Sequence, residues 1–270
     1  MNLGVRVGSA LVLAGALAAA LVLGGVVLYT VLGLAVMGGL WELSQLLGRM
    51  QAAPPPWVLY PLGGWLLYRY LLPADVPALE LGLGAAVALG LLSVLPLRDR
   101  AVLRWATAVG GALYLGLSFG YYIALLRWHG ADQQRFGLRI VAVVLAGAMA
   151  GDICALFAGR LLGRHPFFPR ISPRKTVEGA IGGLIASVVV VTVGETWLLG
   201  LPLWQSALLG LAVGVTAQGG DLVESAIKRA AGEKDSSRLI PGHGGLLDRL
   251  DSLVLLGPVV YCYLRVVALP

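Results

Sequence analysis

The residues whose types and spacing suit chemistry concentrate between residues 220 and 252, which read GDLVESAIKRAAGEKDSSRLIPGHGGLLDRLDS. A helix would place four polar side chains along one face, because they fall at offsets of 0, 3, 4 and 7: Asp221, Glu224, Ser225 and Lys228. Carboxylates beside cationic side chains suit a hard divalent cation such as Mg²⁺, which bridges protein oxygens and phosphate oxygens. This segment therefore predicts a site for a phosphate-bearing molecule.

A glycine-rich turn follows at residues 241 to 245, PGHGG, where backbone N–H groups can approach an anion. His243 in this turn can serve as a general acid or base, or as a contact to phosphate. Asp248 and Asp251 stand three residues apart, so both carboxylates lie on one side of the helix that follows. Ordinary solvated loops also carry runs of charge. Here, however, carboxylates stand at the ends of apolar segments, where charge is costly, and this favours a functional site.

A second basic segment, residues 159 to 183, reads GRLLGRHPFFPRISPRKTVEGAIGG. Thr176 or Ser172 is a candidate N-cap for the apolar helix that begins here, with Glu178 in its first turn. Arg174 and Lys175, held close to a helix N-terminus, can grip a phosphate. The alternative is a capped helix start with arginines on the cytoplasmic side of a membrane. The two interpretations are compatible.

Asp152 lies in the middle of an apolar segment, AGDICALFAGR. An unpaired carboxylate at that depth costs about 2.5–3.5 kcal/mol on an insertion scale. We therefore expect its side chain to face the interior of a helix bundle and to find a partner there. Its role is either a hydrogen bond between packed helices or a contact with substrate or metal.

The elements that must position these residues are membrane helices. Of the 270 residues, 58% are hydrophobic and only 13% are charged, and the mean hydropathy is +0.85. Lipid must replace water around most of such a chain, and its continuous apolar runs exclude the alternation of a membrane β-barrel. We predict an all-α, polytopic transmembrane helical bundle of about nine spans, with a polar site that faces the cytoplasm. The predicted spans are 7–23, 26–46, 57–72, 76–97, 102–126, 138–160, 177–199, 203–222 and 250–268.

The distribution of Lys and Arg among the loops orients this bundle. With nine spans, most of the 20 Lys and Arg residues, including both basic segments, fall on the same side as the N terminus. We therefore expect the N terminus and the polar site in the cytoplasm and the C terminus outside. We divide the chain into N-terminal spans, residues 1–135, for packing, dimerisation or lipid access, and a catalytic region, residues 136–270.

The polar residues stand at spacings that closely resemble the signature of the phosphatidate cytidylyltransferases, also called CDP-diacylglycerol synthases. The matching residues are Ser225-x-x-Lys228-Arg229, Lys234-Asp235 and Pro241-x-His243-Gly244-Gly245-x-x-Asp248-Arg249-x-Asp251. Upstream, Asp152, Gly159-Arg160 and Ser172-Pro173-x-Lys175-Thr176-x-Glu178-Gly179 resemble the family's second region. The likeness covers roughly residues 150 to 255, and the N-terminal half matches only as apolar spans.

The resemblance implies that CTP and phosphatidate are converted to CDP-diacylglycerol and pyrophosphate in phospholipid biosynthesis. It also implies dependence on Mg²⁺, a homodimer in the bacterial inner membrane, and no nucleic-acid partner. We expect the metal ligands to be Asp221, Asp248 and Asp251, and the catalytic residues to be Asp221, Lys228, Arg229, His243, Asp248 and Asp251. The expected substrate contacts are Asp152, Ser172, Arg174, Lys175, Thr176, Glu178, Ser225, Lys234, Asp235, Gly244, Gly245 and Arg249.

Catalysis between two anionic substrates depends mainly on positioning and on neutralising charge. We expect four cations to neutralise phosphates: Lys175, Lys228, Arg229 and Arg249. The lipid phosphate is already ionised and needs no strong base, which favours His243 as an orienting contact. Two alternatives remain. One is a related CTP-dependent lipid enzyme, either a polyprenol kinase or an ether-lipid cytidylyltransferase. The other is an ion-coupled transporter with Asp152 and Asp221 as ion ligands.

Overall fold

The structure is a computed structural model that describes residues 8, 15–16, 18–73, 75–94, 100–128, 136–240, 242 and 244–268. Within these ranges the chain is almost entirely helical and has no β-strand. Its β-type pairing consists of two isolated bridges, Pro166 with Thr176 and Ile240 with Gly244. The prediction of an all-α fold is confirmed.

Ten α-helices, numbered here in chain order, account for most of the described residues. They are α1 (Gly25–Arg49), α2 (Pro56–Tyr68), α3 (Ala78–Val94), α4 (Ala101–Gly111), α5 (Ser118–Leu126), α6 (Phe136–Leu162), α7 (Val177–Leu199), α8 (Leu203–Ala230), α9 (Leu247–Val254) and α10 (Leu256–Tyr263). A 3-10 turn (Arg69–Leu71) follows α2, and π-helical segments follow α4 (Ala112–Leu117) and α10 (Leu264–Ala268).

In the described part of the chain, six helical segments are long and apolar enough to cross a membrane, so the chain is an integral membrane protein. They are Gly25–Arg49, Ala101–Leu126, Phe136–Leu162, Val177–Leu199, Leu203–Ala230 and Leu247–Val267. Each coincides with one of the nine predicted spans.

The count of nine spans is not confirmed. Most of the predicted span 7–23 lies outside the described residues. The predicted span 57–72 forms the 13-residue helix α2, and the predicted span 76–97 forms the 17-residue helix α3. At about 1.5 Å per residue these helices reach roughly 20 and 26 Å, short of the roughly 30 Å of a bilayer core. Prolines 54–56, 73 and 77 flank them and limit their length.

The chain divides into two compact units, and each is discontinuous in sequence. The first unit contains Met1–Ile123 and Ile227–Leu250, and the second contains Ala124–Ala226 and Asp251–Pro270. The first unit thus includes a piece of the predicted catalytic region. The functional division at residue 135 remains a prediction.

Small residues bring α6 and α7 together in the second unit. A Cβ on Gly183 would lie 2.7 Å from the carbonyl oxygen of Gly151 and 2.9 Å from Ala155 Cβ, so the two backbones are nearly in contact. Ser187 Oγ donates to the carbonyl of Gly147 at 3.0 Å. Such close approach is typical of membrane helices that pack through small residues. It fixes the start of α7 against the end of α6.

In the first unit, α1 packs against the start of α9. A Cβ on Gly39 would lie 3.2 Å from Leu115 Cδ1 and 3.4 Å from Leu250 Cδ1, and one on Gly38 would lie 2.7 Å from Leu246 Cδ2. Leu247 is fully buried in this contact. An N-terminal helix therefore supports the segment that carries the signature residues.

Candidate active site

The second unit joins the two segments that the sequence singled out. Lys175 Nζ, from the loop before α7, lies 2.5 Å from Asp221 Oδ2 on α8. Ser225 Oγ, one turn further along α8, donates to Asp221 Oδ1 at 3.3 Å. The Lys175 and Asp221 side chains are each 29% exposed, so the ion pair stands at the edge of the unit, within reach of a solute.

The loop before α7 is folded so that Lys175 is held at the helix start. Lys175 N–H donates to the carbonyl of Ser172 at 3.1 Å and closes a tight turn, while Phe167 N–H donates to the carbonyl of Lys175 at 2.8 Å. Thr176 is the N-cap, because its Oγ1 accepts from the backbone N–H of Gly179 at 3.1 Å. Of the two candidate caps, Thr176 is therefore correct.

Glu178 anchors the other side of this loop. Its Oε2 accepts from the backbone N–H groups of Arg164 at 3.1 Å and His165 at 3.3 Å, and its Oε1 lies 2.6 Å from His165 Nδ1. No role was predicted for His165 from the sequence. Glu178 was predicted as a substrate contact. The observed contacts give it a role in shaping the loop, and its contact with substrate remains a prediction.

Two further predicted carboxylates lie in the second unit. Asp152 is exposed rather than buried in the bundle, and it takes part in a polar interaction. The reason is rotational: the preceding Gly151 faces α7, so the next residue turns away from that contact. Asp251 Oδ1 accepts from the backbone N–H of Ser252 at 2.6 Å. A Cβ on Gly220 would collide with the Asp251 carbonyl, so the residue beside Asp221 touches the Asp251 backbone.

The first unit contains a second lysine–carboxylate pair. Lys228 Nζ lies 2.6 Å from Asp248 Oδ1, and the two side chains are only 10% and 7% exposed. Asp248 Oδ2 accepts from the Ser236 N–H at 3.0 Å, the Ser236 hydroxyl at 3.0 Å and the Gly245 N–H at 2.7 Å. A buried ion pair is tolerated only with such additional hydrogen bonds. Asp248 therefore holds the Lys228 ammonium group in one fixed position.

Glu42 is a functional candidate that the sequence analysis missed. It lies in α1 and is fully buried. Its Oε1 accepts from the Ser237 hydroxyl at 2.6 Å and the Leu246 N–H at 2.8 Å. Its Oε2 accepts from the Ser236 hydroxyl at 2.8 Å and the Leu247 N–H at 2.6 Å. Residues 236–247, named here the signature loop, thus have both ends bound to one carboxylate. The rule that acidic residues at membrane depth are functional would have identified Glu42.

The remaining predicted residues are mostly on exposed surfaces. Arg229 donates from Nη1 to the carbonyl of Glu233 at 2.8 Å, and Glu233 also forms an ion pair with Arg49. Gly244 has a φ of +84°, a backbone conformation that favours glycine. The exposed side chains are Arg174, Arg229, Lys234, Asp235 and Arg249. His243 and Pro241 lie outside the described residues, so the role of His243 stays a prediction.

The predicted metal ligands are of the right chemical type. Asp221, Asp248 and Asp251 offer carboxylate oxygens, the donors that Mg²⁺ prefers. Among the residues that the structure describes, however, no group of three or more His, Cys, Asp or Glu side chains is arranged to hold a metal ion. Asp221 and Asp248 each face a lysine instead. The set Asp221, Asp248 and Asp251 therefore remains a prediction.

Comparison with known proteins gives one consistent family. The model of the cytidylyltransferase family matches residues 4–267. A phosphatidate cytidylyltransferase of Bacillus subtilis is 35% identical over 209 residues, which cover 74% of this chain and 76% of that protein. The enzyme of that name from Synechocystis is 46% identical over 145 residues, 53% of this chain and 48% of the relative. One from Brucella suis is 38% identical over 173 residues, 63% of this chain and 62% of the relative. The chain belongs to the cytidylyltransferase family.

Proposed function

We propose that this chain transfers the CMP moiety of CTP to phosphatidate, forming CDP-diacylglycerol and pyrophosphate. The family supports nucleotidyl transfer from CTP, and the names of the relatives support phosphatidate as acceptor. The observation that carries the proposal is the pair of lysine–carboxylate contacts, Lys175 with Asp221 and Lys228 with Asp248. Lys228 and Asp248 belong to the residues that resemble the family signature, Lys175 belongs to the second resembling region, and Asp221 lies one helical turn before Ser225.

The reaction needs charge neutralisation more than it needs proton transfer. An ionised oxygen of the lipid phosphate attacks the α-phosphorus of CTP, and a new P–O bond forms. The bond from that phosphorus to the oxygen bridging to the β-phosphate breaks, and pyrophosphate leaves with the electron pair. Both reactants are anions, so the barrier falls when fixed cations oppose their mutual repulsion.

The two lysines supply such cations in different settings. Lys175 lies at the start of α7 and is partly exposed, so its ammonium group can reach a phosphate of an arriving nucleotide. Lys228 is buried and held by Asp248, so its position is set before substrate binds. We assign Lys175 to nucleotide capture and Lys228 to stabilisation of the charge that develops during transfer. The exposed side chains of Arg229 and Arg249 are proposed to neutralise further phosphate charge.

Mg²⁺ is proposed as the cofactor, with Asp221, Asp248 and Asp251 as its protein ligands. When bound, the ion would neutralise triphosphate charge and assist departure of pyrophosphate. Lys175 and Lys228 now occupy one oxygen of Asp221 and one of Asp248, respectively. With the ion held by these carboxylates, the Lys175 and Lys228 ammonium groups would be placed to contact phosphate oxygens of the nucleotide.

We further propose the orientation and assembly that the sequence indicated. The N terminus and the active site face the cytoplasm of a bacterial inner membrane, the C terminus lies outside, and the protein is a homodimer. The cytoplasmic side supplies CTP, while phosphatidate enters sideways from the bilayer. The excess of Lys and Arg in the loops around Lys175 and Lys228 supports this orientation.

The decisive experiment follows two labels on CTP. Purified protein in mixed micelles of detergent and phosphatidate is supplied with Mg²⁺ and with CTP labelled either in the cytosine ring or at the γ-phosphate. Nucleotidyl transfer places the ring label in the lipid and the γ-label in pyrophosphate. A γ-label in the lipid would indicate a lipid kinase instead. Parallel reactions in which polyprenol or an ether-linked lipid replaces phosphatidate test the alternative acceptors. Lipid binding without conversion of nucleotide would favour the transporter alternative.

A further inference from the structure

Glu42 lies outside the family signature, yet it is bound to the loop that places a signature residue. The Ser236 hydroxyl lies 2.8 Å from Glu42 Oε2 and 3.0 Å from Asp248 Oδ2. A hydroxyl has one proton, so Ser236 Oγ donates to one carboxylate at a time. The Ser236 backbone N–H meanwhile donates to Asp248 at 3.0 Å. One serine therefore connects the carboxylate of α1 with the carboxylate that holds Lys228.

The backbone N–H groups at the start of α9 donate to the same two carboxylates. The N–H of Gly245 donates to Asp248, and the N–H groups of Leu246 and Leu247 donate to Glu42. Negative charge is favourable at a helix N-terminus, where these amides lack helical partners. A Cβ on Gly245 would lie 2.6 Å from Glu42 Oε2, so the loop leaves no room between itself and the carboxylate. Glu42 thus fixes both the position and the direction of the helix that carries Asp248.

We propose that Glu42 is a positioning residue for nucleotidyl transfer. Through Ser236 and the first turn of α9, it holds Asp248 and hence the Lys228 ammonium in the orientation that receives phosphate. The inference relies on the proposed function for its reaction and on the contacts of the signature loop for its geometry. Glu42 itself does not touch substrate, because it is fully buried and its four acceptor positions are filled.

Glu42→Gln is the sharpest variant, because glutamine has the same size as glutamate. Whichever way its amide lies, the NH2 group faces one serine hydroxyl and one backbone N–H. The hydroxyl can rotate and accept, whereas the backbone N–H of Leu246 or Leu247 cannot. The signature loop must therefore move away from its present position. Glu80→Gln, at an exposed glutamate in the first turn of α3, makes the same chemical change without this contact.

The kinetic test compares kcat and KM for CTP with phosphatidate and Mg²⁺, per folded molecule counted by size-exclusion chromatography. We expect Glu42→Gln to lower kcat by about 10- to 100-fold, as loss of a supporting contact does, with the KM for CTP changed less than about threefold. Glu80→Gln should match the wild type. An unchanged kcat per folded molecule, or a rise in KM alone, would overturn the proposal. If Glu42→Gln does not fold, Ser237→Ala removes one of the four bonds and must lower kcat in the same direction.

A second readout does not depend on turnover. Trypsin cleavage after Arg238, an exposed residue of the signature loop, should be faster in Glu42→Gln than in the wild type in the absence of substrates. Cleavage after Arg164, an exposed residue before α7, serves as the reference and should not change. Equal cleavage rates at Arg238 would overturn the positioning role. If loop release is seen but neither protein converts CTP and phosphatidate, the proposed function fails, while the anchoring of the loop by Glu42 stands.

Discussion

Lys175 Nζ lies 2.5 Å from Asp221 Oδ2, across 46 residues of sequence. The contact joins the basic segment before α7 to the acidic face of α8, which are the two segments that the sequence indicated for phosphate chemistry. Because each side chain is partly exposed, an anion can compete with the carboxylate for the lysine. Asp221 therefore holds the Lys175 ammonium group in position until a phosphate group replaces the carboxylate as its partner.

Replacing Lys175 by Gln should weaken the use of CTP. We expect kcat/KM for CTP to fall by about 10- to 100-fold, because Lys175 is assigned to nucleotide capture and a hydrogen bond to a charged group contributes about 1.5–3 kcal/mol. Initial rates at varied CTP and fixed phosphatidate measure it. Arg127→Ala is the matched control, because this exposed arginine lies on the opposite face in the predicted topology. Loss of activity in Arg127→Ala would contradict that topology.

Asp248→Asn should abolish conversion while the protein still inserts into membranes. The Asp248 carboxylate accepts from Lys228, Gly245 and Ser236. Whichever oxygen the asparagine NH2 group replaces, it would face another donor and lose that hydrogen bond. Transfer of ring-labelled CTP to lipid measures activity, and carbonate-resistant membrane association measures insertion. Asp75→Asn changes an exposed aspartate and should retain wild-type rates. Normal turnover in Asp248→Asn would remove this residue from the site.

Gly245→Ala should damage the signature loop through overpacking. The new methyl group would lie 2.6 and 2.8 Å from the two Glu42 oxygens and would collide with the Ser236 hydroxyl. We expect a loss of about 1–3 kcal/mol in the free energy of unfolding, together with reduced turnover. Thermal unfolding in detergent measures the first effect. Gly84→Ala, on α3 with no atom near its Cβ, should be neutral or gain up to about 1 kcal/mol. A Gly245→Ala protein as stable as the wild type would disprove the tight loop packing.

Removal of divalent cations should stop the reaction. We expect EDTA to abolish activity and added Mg²⁺ to restore it, because charge on the triphosphate must be neutralised. Asp221→Asn should shift the Mg²⁺ concentration for half-maximal rate upward by about 10-fold or more, as loss of one carboxylate ligand weakens a site for a hard cation. Ser44→Ala, on α1, should leave that concentration unchanged. An unchanged requirement in Asp221→Asn would exclude this residue as a ligand.

Much of the site could be predicted because short sequence patterns determine it. The N-cap at Thr176 follows from a short polar residue before an apolar run, and Lys175 then stands at the helix start by position alone. Helical spacing alone predicts that Asp221, Ser225 and Lys228 share one face of α8. The apolar runs likewise predicted the six long spans, since length and hydropathy decide them.

Other features depend on contacts that no local pattern records. An acid within an apolar run marks Glu42 as a candidate, but its partners lie near residue 240 and nothing close to Glu42 in the sequence indicates them. His165 bonds to Glu178 only because the loop before α7 folds back on itself. The segments 57–72 and 76–97 are as apolar as the six long spans, yet the helices described there have only 13 and 17 residues, so their role as spans stays a prediction.

The distance along the chain between Glu42 and Leu247, 205 residues, has a consequence for biogenesis. A ribosome delivers α1 to the membrane long before it makes the four donors that satisfy this acid. Until then the carboxyl group of Glu42 has none of these donors, and that end of α1 must remain at the water interface. Residues 236–247 therefore complete the contacts of α1, and nascent chains that stall before residue 236 should be preferred targets of membrane quality control.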